Sequence, residues 1–167
     1  MHEMTKANLE AAFAGESQAH MKYKIFADKA EEDGFPKVAR LFRAISYAEQ
    51  VHATNHFKQL QGIQDTASNL GTAMGGEHYE DTEMYPAFNA VAKLQGEKGA
   101  MLSIHYALEA EKIHEVMYQD AQRLVELGQD RESAPVYICP VCGFTVIGEP
   151  PDVCPVSKTK KERFVKF

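Results

Sequence analysis

Two Glu-x-x-His motifs constrain this chain more than anything else in it: Glu49-Gln50-Val51-His52 and Glu111-Lys112-Ile113-His114. Both lie among strong helix formers, and on a helix residues three apart share a face. The face around Glu111 is otherwise apolar, with Ile104, Ala107, Leu108, Tyr118, Ala121 and Val125 on one stripe. A carboxylate and an imidazole turned into a helical core are costly to bury uncompensated. One such motif is weak, because a lone helical glutamate is more often a surface residue. The repetition carries the weight. Glu16 precedes the first motif, and Glu77 the second, by nearly the same interval. Each half then reads as a helix pair supplying one Glu and one Glu-x-x-His, the ligand pattern of a dinuclear carboxylate site in a four-helix bundle. Clustered carboxylates repel one another, and two cations offset them. Mixed carboxylate and imidazole donors suit iron or manganese.

The charge balance excludes some partners. Asp and Glu number 24 against 18 Lys and Arg, a formal net charge of -6, which argues against nucleic acid or an anionic membrane as a partner. The first residues, Met1-His2-Glu3-Met4-Thr5-Lys6, lack the apolar core of a signal peptide. No apolar run approaches the roughly 20 residues of a membrane span. Cys139, Cys142 and Cys154 are the only cysteines. An odd number, two of them in Cys-x-x-Cys, reads as metal binding in a reducing compartment, so a cytoplasmic location is expected.

Along the chain, Thr5 is expected to cap a first helix running to about Glu32, with Leu9, Phe13, Glu16, His20, Tyr23, Ala27 and Ala30 inward. Asp33-Gly34 ends it and Phe35-Pro36 opens a second helix to about Leu60. The stripe expected there is Val38, Leu41, Phe42, Ile45, Glu49, His52, His56 and Leu60. Residues 61–75, rich in Gly, Ser, Asn and Thr, read as a long connection. A third helix is expected from about Gly76 to Leu94, bent or broken at Pro86, and a fourth from about Ala100 to Leu127. These spans give a helical domain over 1–134 and a small metal-binding β domain over 135–167.

The tail reads as strand Val136-Tyr137-Ile138, knuckle Cys139-Pro140-Val141-Cys142-Gly143-Phe144, a turn at Gly148-Glu149-Pro150-Pro151, and closing strand Phe164-Val165-Lys166-Phe167. Cys154-Pro155-Val156-Ser157 resembles a second knuckle with serine in the fourth ligand place. Spacing alone leaves a zinc ribbon and a one-electron iron centre both open. Tyr23 and Tyr85 are either core aromatics or hydroxyls that hydrogen-bond ligand carboxylates. His20, His56 and His105 are assigned no role.

The whole chain resembles the rubrerythrin family. The stretches that carry the resemblance are Ala12-Phe13-Ala14-Gly15-Glu16-Ser17, Glu49-Gln50-Val51-His52, Gly76-Glu77-His78-Tyr79-Glu80 with Met84-Tyr85-Pro86, Glu111-Lys112-Ile113-His114, and the rubredoxin-like knuckle. The resemblance implies a mainly α chain, a ferritin-like four-helix bundle with a C-terminal rubredoxin-like domain. It implies two irons in the bundle, replaceable by manganese or zinc, and one iron or zinc in the tail. The implied activity is a non-haem peroxidase reducing hydrogen peroxide to water. Rubredoxin or an NAD(P)H-dependent reductase would be the electron donor. By the same resemblance Glu49 and Glu111 bridge the metals, Glu16 holds the first, and Glu77 and His114 hold the second. Glu80 and His52 alternate on the first metal with oxidation state. His52, Glu80, Tyr23 and Tyr85 are the candidate catalytic side chains. Cys139, Cys142, Cys154 and Ser157 are the tail ligands, Ser157 standing where the family has a fourth cysteine. A homodimer is implied, with exchange of a helix pair between subunits in some members.

Two other classes share parts of this pattern. A ferroxidase or iron store would use the same bundle, and would form a shell and load far more than two irons per chain. A metal-binding regulatory module would hold structural zinc in its tail and lack a rubredoxin-like visible band.

Overall fold

Helices α1 (Glu3–Glu32) and α2 (Pro36–Gln59) form an antiparallel hairpin in a computed structural model that describes all 167 residues. The turn follows from the sequence. Gly34 takes φ +81°, where a side chain is unfavourable. Its N–H donates to Glu31 O at 3.0 Å, and the Phe35 N–H donates to Ala30 O at 2.8 Å, which satisfies two terminal carbonyls. Pro36 starts α2, where its missing N–H costs nothing. Thr5 lies inside α1, which begins two residues earlier with no side-chain cap. The packed seam uses small residues: Ala27 and Ala30 of α1, and Ala39, Ser46 and Ala53 of α2, are buried. The inward face expected on α1 is the one observed. On α2 the seam is rotated. Val38, Leu41 and Ile45 are exposed, and Ala39, Ser46 and Ala53 take their place.

Ser46 locks the hairpin. Its hydroxyl donates to His20 O at 2.8 Å, and His20 Nδ1 lies 2.9 Å from Ser46 O. Ser46→Ala should leave a buried carbonyl short of a partner and destabilise the hairpin by about 1–2 kcal/mol. Denaturant unfolding at constant m-value checks this.

The chain divides into two units, Met1–Gln64 and Asp65–Phe167. In the second unit, α3 spans Thr66–Tyr79, a π-turn follows at Glu80–Met84, and α4 spans Tyr85–Gln95. Helix α5 spans Lys98–Glu126, and both α3 and α4 pack on it. Helix α3 begins well before Gly76, so most of the expected 61–75 connection is helical. The Asp65 side chain accepts from the Ser68 N–H at 2.9 Å and caps it. Its glycines are tolerated because packing replaces propensity: Gln122 of α5 donates to Ala67 O at 3.0 Å, and a Cβ at Gly71 would collide with that amide. The break expected at Pro86 is the π-turn. Pro86 has no N–H to give four residues back, and the Tyr85 N–H bonds Glu80 O in the wider repeat.

After α5 come β1 (Val136–Ile138), β2 (Thr145–Ile147) and β3 (Val165–Lys166), an antiparallel sheet in the order β2-β1-β3. Ile138 pairs with Thr145 and Val165. Tyr106 of α5 packs on the three cysteines, so the tail and α5 share apolar contacts inside the second unit. The architecture is ferritin-like, mainly helical, with a small rubredoxin-like β domain. The compact units part at 64/65, so the boundary expected at 134/135 falls within the second unit.

Candidate metal centres

The first hairpin brings Glu16 of α1 together with Glu49 and His52 of α2, their ligand atoms all within 4.8 Å of one another. His52 Nδ1 lies 2.9 Å from Glu49 Oε2 and 3.8 Å from Glu16 Oε1. The second unit does the same with Glu77 of α3 and Glu111 and His114 of α5. Here His114 Nδ1 lies 2.7 Å from Glu111 Oε2. Three donors converging on one point from two helices, with two acids and one imidazole each time, is a donor set suited to iron.

Glu80 opens the π-turn beside the second cluster, and Tyr85 directly follows it. Burial is the main reason the Glu80 carboxyl is pushed up, Glu111 adds to it, and His114 opposes it. Burial also raises the Tyr85 phenol, helped by the charges of Glu80, Glu111 and Glu77. A π-turn adds a residue to the helical repeat and commonly marks a functional site. Tyr23 of α1 packs against the rings of Phe42 and Phe26, with centroids 6.2 and 6.3 Å away.

The Glu77 carboxyl is the one raised furthest in the second cluster. Burial first, then a hydrogen bond and charge repulsion from Glu111, with Glu80 last, push its carboxyl from 4.5 up to about 7. The folded metal-free protein therefore holds a proton that the unfolded chain releases near pH 4.5. This contribution to stability is full below that pH and is lost as pH rises through about 7. Metal-free protein should lose stability across that window, and Glu77→Gln should flatten the loss. Thermal midpoints measured from pH 4.5 to 7 check this, and identical slopes in both proteins would contradict it.

In the tail, Cys139, Cys142 and Cys154 are 1%, 6% and 0% exposed. Gly143 at φ +78° closes the first knuckle, its N–H donating to Cys139 O at 3.0 Å. The Cys142 and Cys154 sulfurs are 3.5 Å apart, and Ser157 Oγ lies 3.2 Å from Cys139 Sγ. Those edges approach the roughly 3.8 Å of a tetrahedron with metal–sulfur bonds of about 2.3 Å. The Ser157 hydroxyl lies beside the cysteines and shares a hydrogen bond with the Thr159 hydroxyl at 2.8 Å. Burial alone would raise the Cys139 thiol. Hydrogen bonds from Ser157, Thr159 and the amides of Val141 and Cys142 outweigh it and bring the thiol down to about 6. Cys142 is pushed up, chiefly by burial.

Sequence reasoning missed three partners. Thr145 bonds His114, Glu115 bonds His78 at 3.0 Å, and Ser46 bonds His20. None belongs to a motif, and only tertiary packing brings these pairs together.

Carboxylate–imidazole clusters on ferritin-like helices, together with a thiolate knuckle domain, define the di-iron carboxylate proteins that carry a rubredoxin-like domain. The rubrerythrin family profile matches residues 7–122, and that of the rubrerythrin rubredoxin-like domain matches residues 137–165. The chain belongs to the rubrerythrin family. It is 42% identical to rubrerythrin-2 of Clostridium acetobutylicum, over 98% of this chain and 97% of that one. It is 34% identical to a rubrerythrin of Nitratidesulfovibrio vulgaris, over 96% and 92%. Nigerythrin in its mixed-valent and fully reduced, all-ferrous states superposes with a TM-score of 0.58 at 32% identity, over 98% of this chain and 86% of that one. Iron fits the donor sets of both the helical and the tail sites. No helix is long and apolar enough to cross a membrane.

Proposed function

We propose that this protein is a non-haem peroxidase that reduces hydrogen peroxide to water. Its electrons come from a rubredoxin or an NAD(P)H-dependent reductase by way of the tail. The observation that carries this reading is the pair of matched Glu/Glu/His clusters, one on each hairpin, with a thiolate site packed on α5. The two bundle irons, when bound, supply the two electrons that split the peroxide O–O bond, and two protons complete two waters. Glu49 and Glu111 would bridge the metals, Glu16 would hold the first, and Glu77 and His114 would hold the second. Glu80 and His52 would alternate on the first. The greater exposure of the His52 side chain, 53% against 27% for His114, supports its freedom to swing. The Tyr85 phenol, kept protonated by burial and by three carboxylates, is a hydrogen-bond donor at its Oη. Tyr23 is the corresponding hydroxyl of the first hairpin. The tail ligands are Cys139, Cys142, Cys154 and Ser157, which makes residues 135–167 the electron-transfer domain and 1–134 the reaction domain.

With donor, reductase and NADH present under anaerobic conditions, one peroxide should be consumed per NADH, with iron held near three per chain. Iron loading far beyond that, with mineral formation, would instead make the protein a ferroxidase.

The active species is a homodimer that exchanges its first hairpin. A ferritin-like bundle contains one long crossover between its helix pairs. Helix α2 has 24 residues, about 36 Å at 1.5 Å per residue. Only residues 60–65 separate it from α3, and they reach about 20 Å when fully extended. A second copy can supply the hairpin that this connection cannot fold back. The exposed apolar residues Val38, Leu41 and Ile45 of the hairpin, and Phe88 and Val91 of α4, match that arrangement. Glu49→Ala and Glu111→Ala chains, each inactive alone, should regain roughly a quarter of the native sites when refolded together. No regain would mean that each chain completes its own site.

A further inference from the structure

Thr145 opens β2, three residues past Cys142, and is 6% exposed. Its hydroxyl donates to the Gly143 carbonyl at 2.8 Å and lies 2.9 Å from Nε2 of His114 on α5. A threonine hydroxyl has one hydrogen to give. Because Gly143 receives it, the contact with His114 must run the other way: Nε2–H donates and Thr145 Oγ1 accepts. A neutral imidazole carries a single ring proton, so a His114 that gives Nε2–H to Thr145 offers its Nδ1 lone pair to a metal once the proton shared with Glu111 Oε2 has left. Nδ1 is the nitrogen that faces Glu111 Oε2 at 2.7 Å, inside the Glu77, Glu111 and His114 cluster.

The fold holds Thr145 in this place from two sides. In the sheet it pairs with Ile138 of β1. At the knuckle, Gly143 comes so near α5 that an added Cβ would sit 3.4 Å from the Ala110 methyl. The hydroxyl therefore reaches His114 from a backbone fixed by both the sheet and the knuckle.

We propose that Thr145 is the positioning residue for His114. The tail supplies the hydroxyl that sets the Nε2–H tautomer and turns Nδ1 toward the bundle metal. The inference rests on the reading of His114 as a bundle ligand. It makes the tail part of the bundle's metal-binding structure as well as its electron carrier.

The test uses the full chain loaded with zinc, which has no redox chemistry, so its outcome is independent of whether peroxide is the substrate. In native protein, long-range proton–nitrogen correlation should show His114 protonated at Nε2 and bound to zinc through Nδ1. Thr145→Val keeps the shape and removes the hydroxyl, and should weaken zinc at that bundle position by about 10- to 100-fold. Thr145→Ser should restore most of the affinity. The tail's visible band in iron-loaded Thr145→Val reports whether the knuckle survives. If that variant does not fold, the native spectrum and the serine variant still decide. His114 bound through Nε2, or native zinc affinity in folded Thr145→Val, would overturn the proposal. A native bundle that takes no zinc would overturn the metal assignment beneath it as well.

Discussion

Glu111→Ala should empty the bundle of metal and abolish peroxide turnover while leaving the tail iron in place. Glu111 sits at the centre of the second cluster. Its carboxylate is 2.7 Å from His114 Nδ1, and it hydrogen-bonds the Glu77 carboxyl. As the proposed bridge it would contact both metals, so its loss removes a donor from each. It also removes the neighbour that helps hold the Glu77 carboxyl at about 7. Loss of even a supporting partner of a metal ligand costs about 10- to 100-fold in affinity, and a bridging ligand should cost more at each position. Metal analysis should find bundle iron below one per chain with the tail band intact. Full occupancy at both bundle positions would show that Glu111 does not bridge.

Ser157→Cys should raise donor-driven turnover. A hydroxyl ionises far less readily than a thiol, and a ligand must be deprotonated to bind well. With Ser157 as the proposed fourth ligand, tail iron should be held more weakly and in a more pH-dependent way than by four thiolates. Its charge-transfer band should be weaker and its potential lower, because an oxygen anion favours the ferric state. Any zinc in the site would stop electron transfer outright, since zinc has no accessible redox change. Cysteine should reverse each of these. The larger sulfur must lengthen the 2.8 Å contact with Thr159, a small adjustment at one side of a site that is otherwise buried. Equal turnover and equal tail metal in the two proteins would show that this position does not limit electron delivery.

The sequence was most legible where chemistry repeats at helical spacing. Glu16, Glu49, His52, Glu77, Glu111 and His114 fall into two clusters because spacing and fold share the same period. The knuckle residues were legible for a similar reason, since Cys-x-x-Cys-Gly is a local turn. Three kinds of feature were not legible. The first turns of α3 look like a loop because Gly, Ser, Asn and Thr are poor helix formers. The Asp65 cap and the Gln122 bond that overrule this preference lie outside any propensity. The phase of α2 slipped because Val38, Leu41 and Ile45 are apolar but face away from α1, whose close approach needs alanine and serine. Thr145 was invisible for a third reason. Its partner is 31 residues earlier, and only the docking of the sheet on α5 joins them.

The most direct measurement is a single turnover. Full-length protein with all three iron positions chemically reduced is mixed anaerobically with one equivalent of hydrogen peroxide, or separately with oxygen, and followed by stopped-flow absorbance. Peroxide should reoxidise the bundle much faster than oxygen does, with two electrons taken per peroxide and water as the product. Faster reoxidation by oxygen, with iron released to form mineral, would contradict it.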